Sequence, residues 1–337
     1  MRIDRSSWFG LVRVLVLAGV SALGLVSLVG SGGGLLSDCP PGTDCFPPPP
    51  PPLQAEVQPA RVTALVGTPV RFSAQVANAS GGLSFQWSRS SDGGASFVEI
   101  ARATGSSYTL GAVNLADDGA IFLVTITGGG TFAQAMGRLV VSSVPGLVFE
   151  DGEFQVADWL VTPFALPGRP APGHAEDRMA TGGNPDAFLK MTYTQAPQTG
   201  ASHVLYTSLV ASYDPQTQGA VNVIDYAEDG IALQPNTLTY TQSAMLLEQG
   251  GRRYIANPQD LTDMLPTRWS AIESRSSLLP QDFSLFDGPA CTAGESCPDF
   301  SAAGLPMRFG FSRVSFGSPG DTIAHGIDNW KVTVWRR

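Results

Sequence analysis

The sequence predicts an all-β protein made of sandwiches, and three observations carry this prediction. Only 15% of the 337 residues are charged, whereas glycine (38) and proline (26) are plentiful, which is typical of folds with many turns. Apolar residues alternate with polar ones along short runs, so that Val70, Phe72 and Ala74 share one face of a predicted strand. No long run repeats at the helical period, and the chain length predicts about two domains.

The first 37 residues are predicted to be a signal peptide or a membrane anchor. Three arginines among the first 13 residues precede an uncharged apolar run and then small residues, the order of a secretory signal. The run approaches the roughly 17–25 residues of a spanning helix, so an uncleaved anchor is the alternative. A third alternative is lipidation of Cys39, because Leu36 and Ser37 resemble a bacterial lipobox in which Asp38 replaces the usual small residue. All three place the chain in the periplasm, on the outer surface or outside the cell.

Residues 38–53 are predicted to be a proline-rich linker. The run "FPPPPPPL" favours polyproline II, a stiff spacer of roughly 3 Å per residue. A spacer directly after an export signal indicates that the folded part is held away from a membrane or a wall.

The four cysteines form two pairs with the same spacing, "CPPGTDC" and "CTAGESC". Export implies an oxidising compartment, where short disulfide loops are expected. Four cysteines allow three pairings, and the short loops favour Cys39–Cys45 and Cys291–Cys297. Zinc is the alternative, although this spacing is unusual for zinc and no histidine lies near either pair.

Residues 54–145 resemble an immunoglobulin-like domain. "GTPVRFSA", "FQW" and "DDGAIFLV" look like its strands B, C and F, with Trp87 as the core tryptophan and Asp117-x-Gly119 before Phe122 as the corner motif. Ala74 and Val124 stand where the inter-sheet cysteines would be, which leaves packing to hold the sheets together. The resemblance implies a spacer or an adhesion module.

Residues 146–337 resemble the jelly-roll sandwiches of carbohydrate-binding modules and of concanavalin-like lectins and glucanases. The resemblance rests on the opening "FEDG" with Trp159, on "GGNPDAFLKM" and "RFGF", and on the closing "HGIDNWKVTV". It implies an all-β sandwich that is larger than the first.

The strand "VNVIDYAEDG" resembles the catalytic strand of laminarinase-like hydrolases. Asp225 and Glu228 match its second and third acidic positions, but Val223 falls where the nucleophile belongs. A retaining site needs two carboxyl groups about 5–5.5 Å apart, and valine cannot supply one. Alternation also puts Glu228 on the opposite face from Asp225 unless a bulge intervenes. The strand is therefore predicted to carry no catalysis, with a solvated strand end as the simplest alternative.

Other catalytic patterns are missing from the sequence. The three histidines form no H-E-x-x-H motif, and no G-x-S-x-G elbow, phosphate loop or dinucleotide fingerprint occurs. A triad assembled from distant positions is left open. The net charge of −9 argues against nucleic acid as a partner.

Two kinds of binding site are predicted by the second resemblance. A structural calcium would lie between Glu150 or Asp151 on the opening strand and Asp328 on the last one, because calcium prefers carboxylate and carbonyl oxygens. A backbone N–H is the alternative partner for Asp328. Glycan binding needs a flat aromatic ring and a few polar groups, and places in the core are the alternative for the aromatic residues. The candidates are Tyr206, Tyr226, Trp269, Asp225, Glu228 and Arg313.

The sequence as a whole predicts an exported, non-catalytic binding protein. The leading hypothesis is carbohydrate binding by the C-terminal jelly roll, with the immunoglobulin-like domain as a spacer. One alternative is a structural or adhesive protein that binds another protein at the cell surface. The other is a glycoside hydrolase with an atypical site.

Overall fold

The computed structural model confirms the all-β fold class. It describes residues 51–164, 171–195, 201–234, 240–256, 265–286, 288, 291, 296–316, 318 and 320–337. The predicted signal or anchor, almost all of the linker and the Cys39–Cys45 pair lie outside these residues. Within them, no helix has the length and apolar composition that crossing a bilayer requires.

The smaller sandwich is immunoglobulin-like. One sheet has the order β1-β3-β6 and the other the order β2-β8-β7-β4-β5. All neighbours are antiparallel except β2 and β8, which run parallel. The strands are β1 (Gln54–Gln58), β2 (Arg61–Leu65), β3 (Val70–Ala77), β4 (Ser84–Ser90), β5 (Val98–Glu99), β6 (Ser107–Leu110), β7 (Ile121–Gly128) and β8 (Thr131–Ser142).

Aromatic rings from both sheets fill the centre of the smaller sandwich. Phe72 from one sheet stacks on Phe122 from the other with ring centroids 5.0 Å apart, and Tyr108 lies 5.6 Å from Phe122. Trp87 is fully buried and its Nε1 donates to the carbonyl of Gly105 at 2.9 Å. Such stacked pairs contribute about 0.5–1.5 kcal/mol beyond the area they bury. Aromatic packing therefore helps to join the two sheets.

The larger sandwich has two antiparallel six-stranded sheets. The first has the order β10-β13-β19-β15-β16-β18, and the second the order β11-β12-β20-β14-β17 with β9 also paired to β20. The strands are β9 (Leu147–Asp151), β10 (Trp159–Phe164), β11 (Gly173–Gly183), β12 (Asp186–Thr194), β13 (Ala201–Tyr213), β14 (Val221–Ala232), β15 (Tyr240–Gln249), β16 (Arg252–Ala256), β17 (Ser270–Leu278), β18 (Phe283–Leu285), β19 (Met307–Phe316) and β20 (Thr322–Arg336). Single helical turns occur at Leu115–Asp117, Val156–Asp158, Pro215–Gln218 and Pro280–Asp282.

The core of the larger sandwich centres on Trp159. Its ring lies 5.0 Å from Trp330, 5.2 Å from Phe311 and 5.8 Å from Phe154. This core and that of the smaller sandwich are separate hydrophobic clusters. The aromatic core occupies only part of the space between the two sheets, because polar side chains take over the inward positions further along the strands.

A small polar junction connects the two sandwiches. Arg61 Nη1 on β2 donates to Asp282 Oδ2 at 2.5 Å. The hydroxyls of Thr63 and Ser277 lie 2.6 Å apart. These contacts join the β2 edge of the smaller sandwich to β17 and the turn that follows it in the larger one.

Candidate functional site

A layer of polar side chains lies between the two sheets of the larger sandwich, where the aromatic core ends. Alternation puts Phe309, Phe311 and then Arg313 on the inner face of β19, and it puts Tyr226 and Glu228 on the inner face of β14. Arg313 Nη1 lies 3.0 Å from Glu228 Oε1, and Nη2 lies 3.1 Å from Oε2. This two-point ion pair links the two sheets, and both side chains have no exposed surface.

The carboxylate of Glu228 is saturated with donors. Besides Arg313, it accepts from the hydroxyl of Tyr226 at 2.7 Å and from the hydroxyl of Ser243. Arg313 also donates to Ser243. Burial by itself would lower the pKa of Arg313, but the charge of Glu228 outweighs it and raises that pKa. The guanidinium therefore stays charged throughout the physiological pH range.

A second branch of the layer runs through two tyrosines. The hydroxyls of Tyr193 and Tyr206 lie 2.7 Å apart, and Tyr206 donates to Glu176 Oε1 at 2.8 Å. The ring of Tyr206 stacks on Phe311 at 4.4 Å. Burial raises the pKa of both tyrosines far above the ordinary value, so both phenols stay neutral. Glu176 also contacts His174 Nδ1 at 3.0 Å.

The edge strand β17 adds a second carboxyl group beside Glu228. Glu273 is the cross-strand partner of Glu228, and Arg275 is that of Tyr226. Arg275 Nη1 lies 3.4 Å from Glu273 Oε1. Burial, followed by the charge of Glu228, raises the pKa of Glu273 to about 7. Glu273 therefore titrates near neutral pH.

Four of the six residues predicted for glycan binding meet in this layer: Tyr206, Tyr226, Glu228 and Arg313. Asp225 points to the outer face of its sheet, where it accepts from the Ser277 N–H at 2.6 Å and from Trp335 Nε1 at 2.7 Å. It also bonds to Thr63 of the smaller sandwich, so it belongs to the polar junction. Burial raises the pKa of Asp225.

Trp269 lies apart from the other predicted residues. Its Nε1 donates to the carbonyl of Gly182 at 2.7 Å, and its ring meets Phe188 edge-on at 5.2 Å. Phe188 is on the outer face of β12, whereas Met191 and Tyr193 point inward. Trp269 therefore packs outside the space that holds the polar layer.

The strand "VNVIDYAEDG" forms most of β14 and separates its acidic residues as alternation predicts. Val223 is 1% exposed, Asp225 faces outward and Glu228 faces inward. Glu228 is fully buried, accepts three hydrogen bonds and pairs with Arg313, so its carboxylate has no free position from which to transfer a proton to a glycosidic bond. Glu228 and Glu273 resemble an acid–base pair in which one group is protonated near pH 7, but here Arg313 neutralises the first.

Of the three residues predicted to bind calcium, Asp151 and Asp328 lie near each other, whereas Glu150 pairs with Lys331. Glu150 is exposed and lies 3.5 Å from Lys331 Nζ. Asp151 caps the turn after β9 by accepting from the N–H groups of residues 153 and 154 and from Trp159 Nε1. In the described part of the chain, no group of three His, Cys, Asp or Glu side chains is placed to hold a metal ion. These residues therefore do not fit a calcium ion as they stand, and the ion stays a prediction.

Asp328 has the alternative partners that the sequence left open. It accepts from the Asn184 N–H at 2.5 Å and from the Asn329 N–H at 2.7 Å. Burial raises its pKa, and the nearby charges of Asp229 and Asp151 add to that shift.

The Cys291–Cys297 disulfide is present, as predicted, with the two Cα atoms 4.9 Å apart.

Sequence reasoning missed Tyr193, Ser243 and Glu273. A signal was available for Tyr193, because the other inward residues of its strand, Leu189 and Met191, are apolar. A polar residue in such a row indicates a buried network. The strands of Ser243 and Glu273 carry further inward polar residues, Thr241 and Arg275. The inward residues of one strand, however, do not indicate which strand supplies their partners.

The chain is distantly similar to several solved structures. No protein-family model and no curated protein matches the chain. Among solved structures, Dscam1 isoform 4.44 (N-terminal four Ig domains) matches with 18% identity and a TM-score of 0.23, over 27% of this chain and 21% of that one. The C-terminal family 22 carbohydrate-binding module of Clostridium thermocellum Xyn10B matches with 13% identity and a TM-score of 0.29, over 56% and 93%. A marsupial T cell receptor matches with 10% identity and a TM-score of 0.23, over 46% and 91%. The chain thus spans about a fifth of the Dscam1 structure, and the fold described above rests on its own strand order.

Proposed function

We propose that this chain is an exported, non-catalytic binding protein whose larger sandwich binds carbohydrate. The smaller, immunoglobulin-like sandwich serves as a spacer, and the N-terminal segment exports the chain to the periplasm or the outer surface. The polar layer between the sheets of the larger sandwich is the observation that carries the proposal.

The free energy of folding alone does not explain why the polar layer is present. Replacing a buried ion pair by well-packed apolar residues is often neutral or stabilising by about 1–4 kcal/mol, because burial desolvates both charges. Arg313 occupies an inward position on the strand whose other inward positions, Phe309 and Phe311, carry apolar rings. Positions that break the local pattern of a fold are expected to be functional sites. Tyrosine, arginine and carboxylate side chains are also the groups that orient polar ligands.

The same layer argues against hydrolysis. Glu228 is engaged by Tyr226, Ser243 and Arg313. Val223 stands where the resemblance to laminarinase-like hydrolases would put the nucleophile, and Asp225 is engaged at the polar junction. Binding of a glycan without turnover is the outcome that this arrangement favours.

Protein adhesion is the second candidate, and the smaller sandwich favours it. Its five-stranded sheet exposes three large apolar side chains, Phe132 (68% exposed), Met136 (55%) and Val98 (72%). Phe132 and Met136 alternate on the same face of β8. Exposed apolar residues on one face are typical of surfaces that bind another protein.

Glycan-array binding by the purified chain tests the proposal, with released reducing sugar measured on every glycan that binds. Binding without release is expected. The array is run in calcium and again in EDTA, and loss of binding in EDTA would support the predicted ion. A double variant, Glu228→Leu with Arg313→Met, is expected to fold and to lose binding. Asp177→Asn with Lys190→Met removes an exposed pair and is the matched control.

Two results would contradict the proposal. Release of sugar from a bound glycan would show catalysis. If the folded chain binds no glycan, protein adhesion becomes the favoured function. Phe132→Ser, which removes an exposed apolar ring, should then weaken binding to a protein partner.

A further inference from the structure

Three hydroxyl groups lie side by side at one end of the larger sandwich. Ser315 on β19 is the cross-strand partner of Ser202 on β13 and of Thr241 on β15. All three are buried, and the hydroxyls of Thr241 and Ser315 lie 3.0 Å apart. Among the described residues, Ser202 Oγ has no hydrogen-bond partner. This row lies directly beyond Arg313, which is two residues from Ser315 on the same inner face.

The opposite sheet brings two more buried polar side chains to the same end. His325 meets Tyr193 edge-on at 4.9 Å, and Gln195 lies two residues beyond Tyr193 on the inner face of the chain leaving β12. Both ring nitrogens of His325 and both polar atoms of Gln195 lack partners in the described part of the chain. Burial, together with the charge of Arg313, lowers the pKa of His325 well below the ordinary value, so the ring is neutral.

These five residues, Gln195, Ser202, Thr241, Ser315 and His325, are called the strand-end cluster. With Arg313 Nε, which also lacks a partner, the cluster has six buried polar atoms without a partner among the described residues. Folded proteins leave only a few such atoms per 100 residues, and each calls for an explanation. Six atoms at one end of one sandwich indicate polar partners from outside the chain, and a bound ligand can supply them.

The chemistry of the cluster specifies the class of ligand. Hydroxyl and amide groups, and a neutral imidazole, each donate and accept hydrogen bonds. The charge of Arg313 is balanced by Glu228, which leaves the cluster without an uncompensated charge. A charged ligand would be desolvated here without a counter-charge, whereas an uncharged polyhydroxyl group would pair with every member.

We propose that the strand-end cluster binds an uncharged sugar ring inserted between the two sheets. The inference deepens the proposed carbohydrate binding and rests on it. Ser202 and Thr241 are each the second residue of their strands, and Gln195 directly follows β12. The cluster therefore lies at the ends of these strands.

Saturation-transfer NMR on the full chain tests this inference, with D-glucose, D-galactose and D-xylose as uncharged probes. D-glucuronate and D-glucosamine are the charged counterparts. We expect saturable binding of at least one uncharged sugar and at least ten-fold weaker binding of its charged counterpart. The variants Gln195→Met, Ser202→Ala and His325→Phe should each weaken binding at least ten-fold. Ser274→Ala, on an exposed position of β17, is the control and should bind as the unmodified chain does.

Thermal unfolding of the same variants separates a binding role from a structural one. If the six atoms lack partners in the unliganded protein, replacing them with apolar groups should leave the melting temperature unchanged or raise it. A fall of more than about 5 °C in all three variants would show that they are hydrogen-bonded within the chain. That fall would overturn the inference.

The remaining outcomes separate this inference from the proposed function. Glycan binding that persists at full strength in all three variants would overturn the strand-end cluster as the site and leave the proposed function standing. Equal binding of charged and uncharged sugars would overturn the predicted ligand class. No binding of any free sugar and no signal on the glycan array would overturn both proposals.

Discussion

Glu273 should make the stability of the larger sandwich depend on pH near neutrality, and Glu273→Gln should remove that dependence. The carboxyl group is 15% exposed beside Glu228, and burial followed by the charge of Glu228 raises its pKa from 4.5 to about 7. The folded state therefore holds a proton that the unfolded chain has already released. Glutamine keeps the shape of the side chain and cannot titrate.

The magnitude follows from the size of this shift. A difference of about 2.5 pKa units corresponds to about 3 kcal/mol at about 1.4 kcal/mol per unit. Because the folded pKa is raised, the stabilisation is fully present below pH 4.5 and is lost as the pH rises through 7. The free energy of unfolding of Glu273→Gln, relative to that of the unmodified chain, should therefore rise by about 3 kcal/mol between pH 4 and pH 8.

Urea unfolding at half-unit steps from pH 4 to pH 8 measures this difference. Burial also raises the pKa values of Asp225 and Asp328. Both groups titrate in the variant and in the unmodified chain, so their contributions to the pH dependence of stability cancel in the difference. Asp177→Asn, at an exposed position, is the control and should show no pH-dependent gain. A difference between Glu273→Gln and the unmodified chain that stays constant within about 0.5 kcal/mol would refute the reasoning.

Three further predictions concern the rest of the described chain. Arg313→Met alone should lower the free energy of unfolding in urea by about 3–5 kcal/mol, because it leaves the charge of Glu228 buried without a partner. Adding Glu228→Leu should restore most of that loss. A double variant as unstable as the single one would contradict this prediction. Burial lowers the pKa of His203 to about 4, so the free energy of unfolding should fall as the pH drops from 6.5 to 4. His203→Phe should make the free energy of unfolding less dependent on pH in this range. An unchanged pH dependence would count against the prediction. Trp87→Ala should destabilise the smaller sandwich by about 3–5 kcal/mol in thermal unfolding, whereas a loss below about 1 kcal/mol would show that the ring is not its core.

The sequence alone predicts the structural features that are set by residues close together along the chain. Alternation of apolar residues and frequent turn residues indicated strands, and Trp87 was recognised as a core residue. The Cys291–Cys297 loop closes over six positions, a separation short enough for spacing to indicate the pairing. The opposite orientations of Asp225 and Glu228 also followed from alternation, since successive side chains of a strand point to opposite faces.

The partners of those side chains were not predictable in the same way. Arg313 and Glu228 are 85 positions apart, and their contact requires that β19 and β14 belong to opposite sheets at the same height. Asp225 was predicted to bind a ligand, yet it holds Thr63 and Trp335 because β2 packs beside β17. Nothing in either local pattern encodes those strand neighbours.

The sequence by itself determined many of the strands, the alternation of faces within each regular stretch and the local disulfide, because all of these depend on dihedral preferences and short loops. Only the tertiary structure decided that polar residues from several separate strands form one buried layer with unpartnered atoms at its end. The physical reason is that strand pairing and sheet stacking join residues by register across long loops, and the free energy of burying a polar atom depends on the partner that register brings to it.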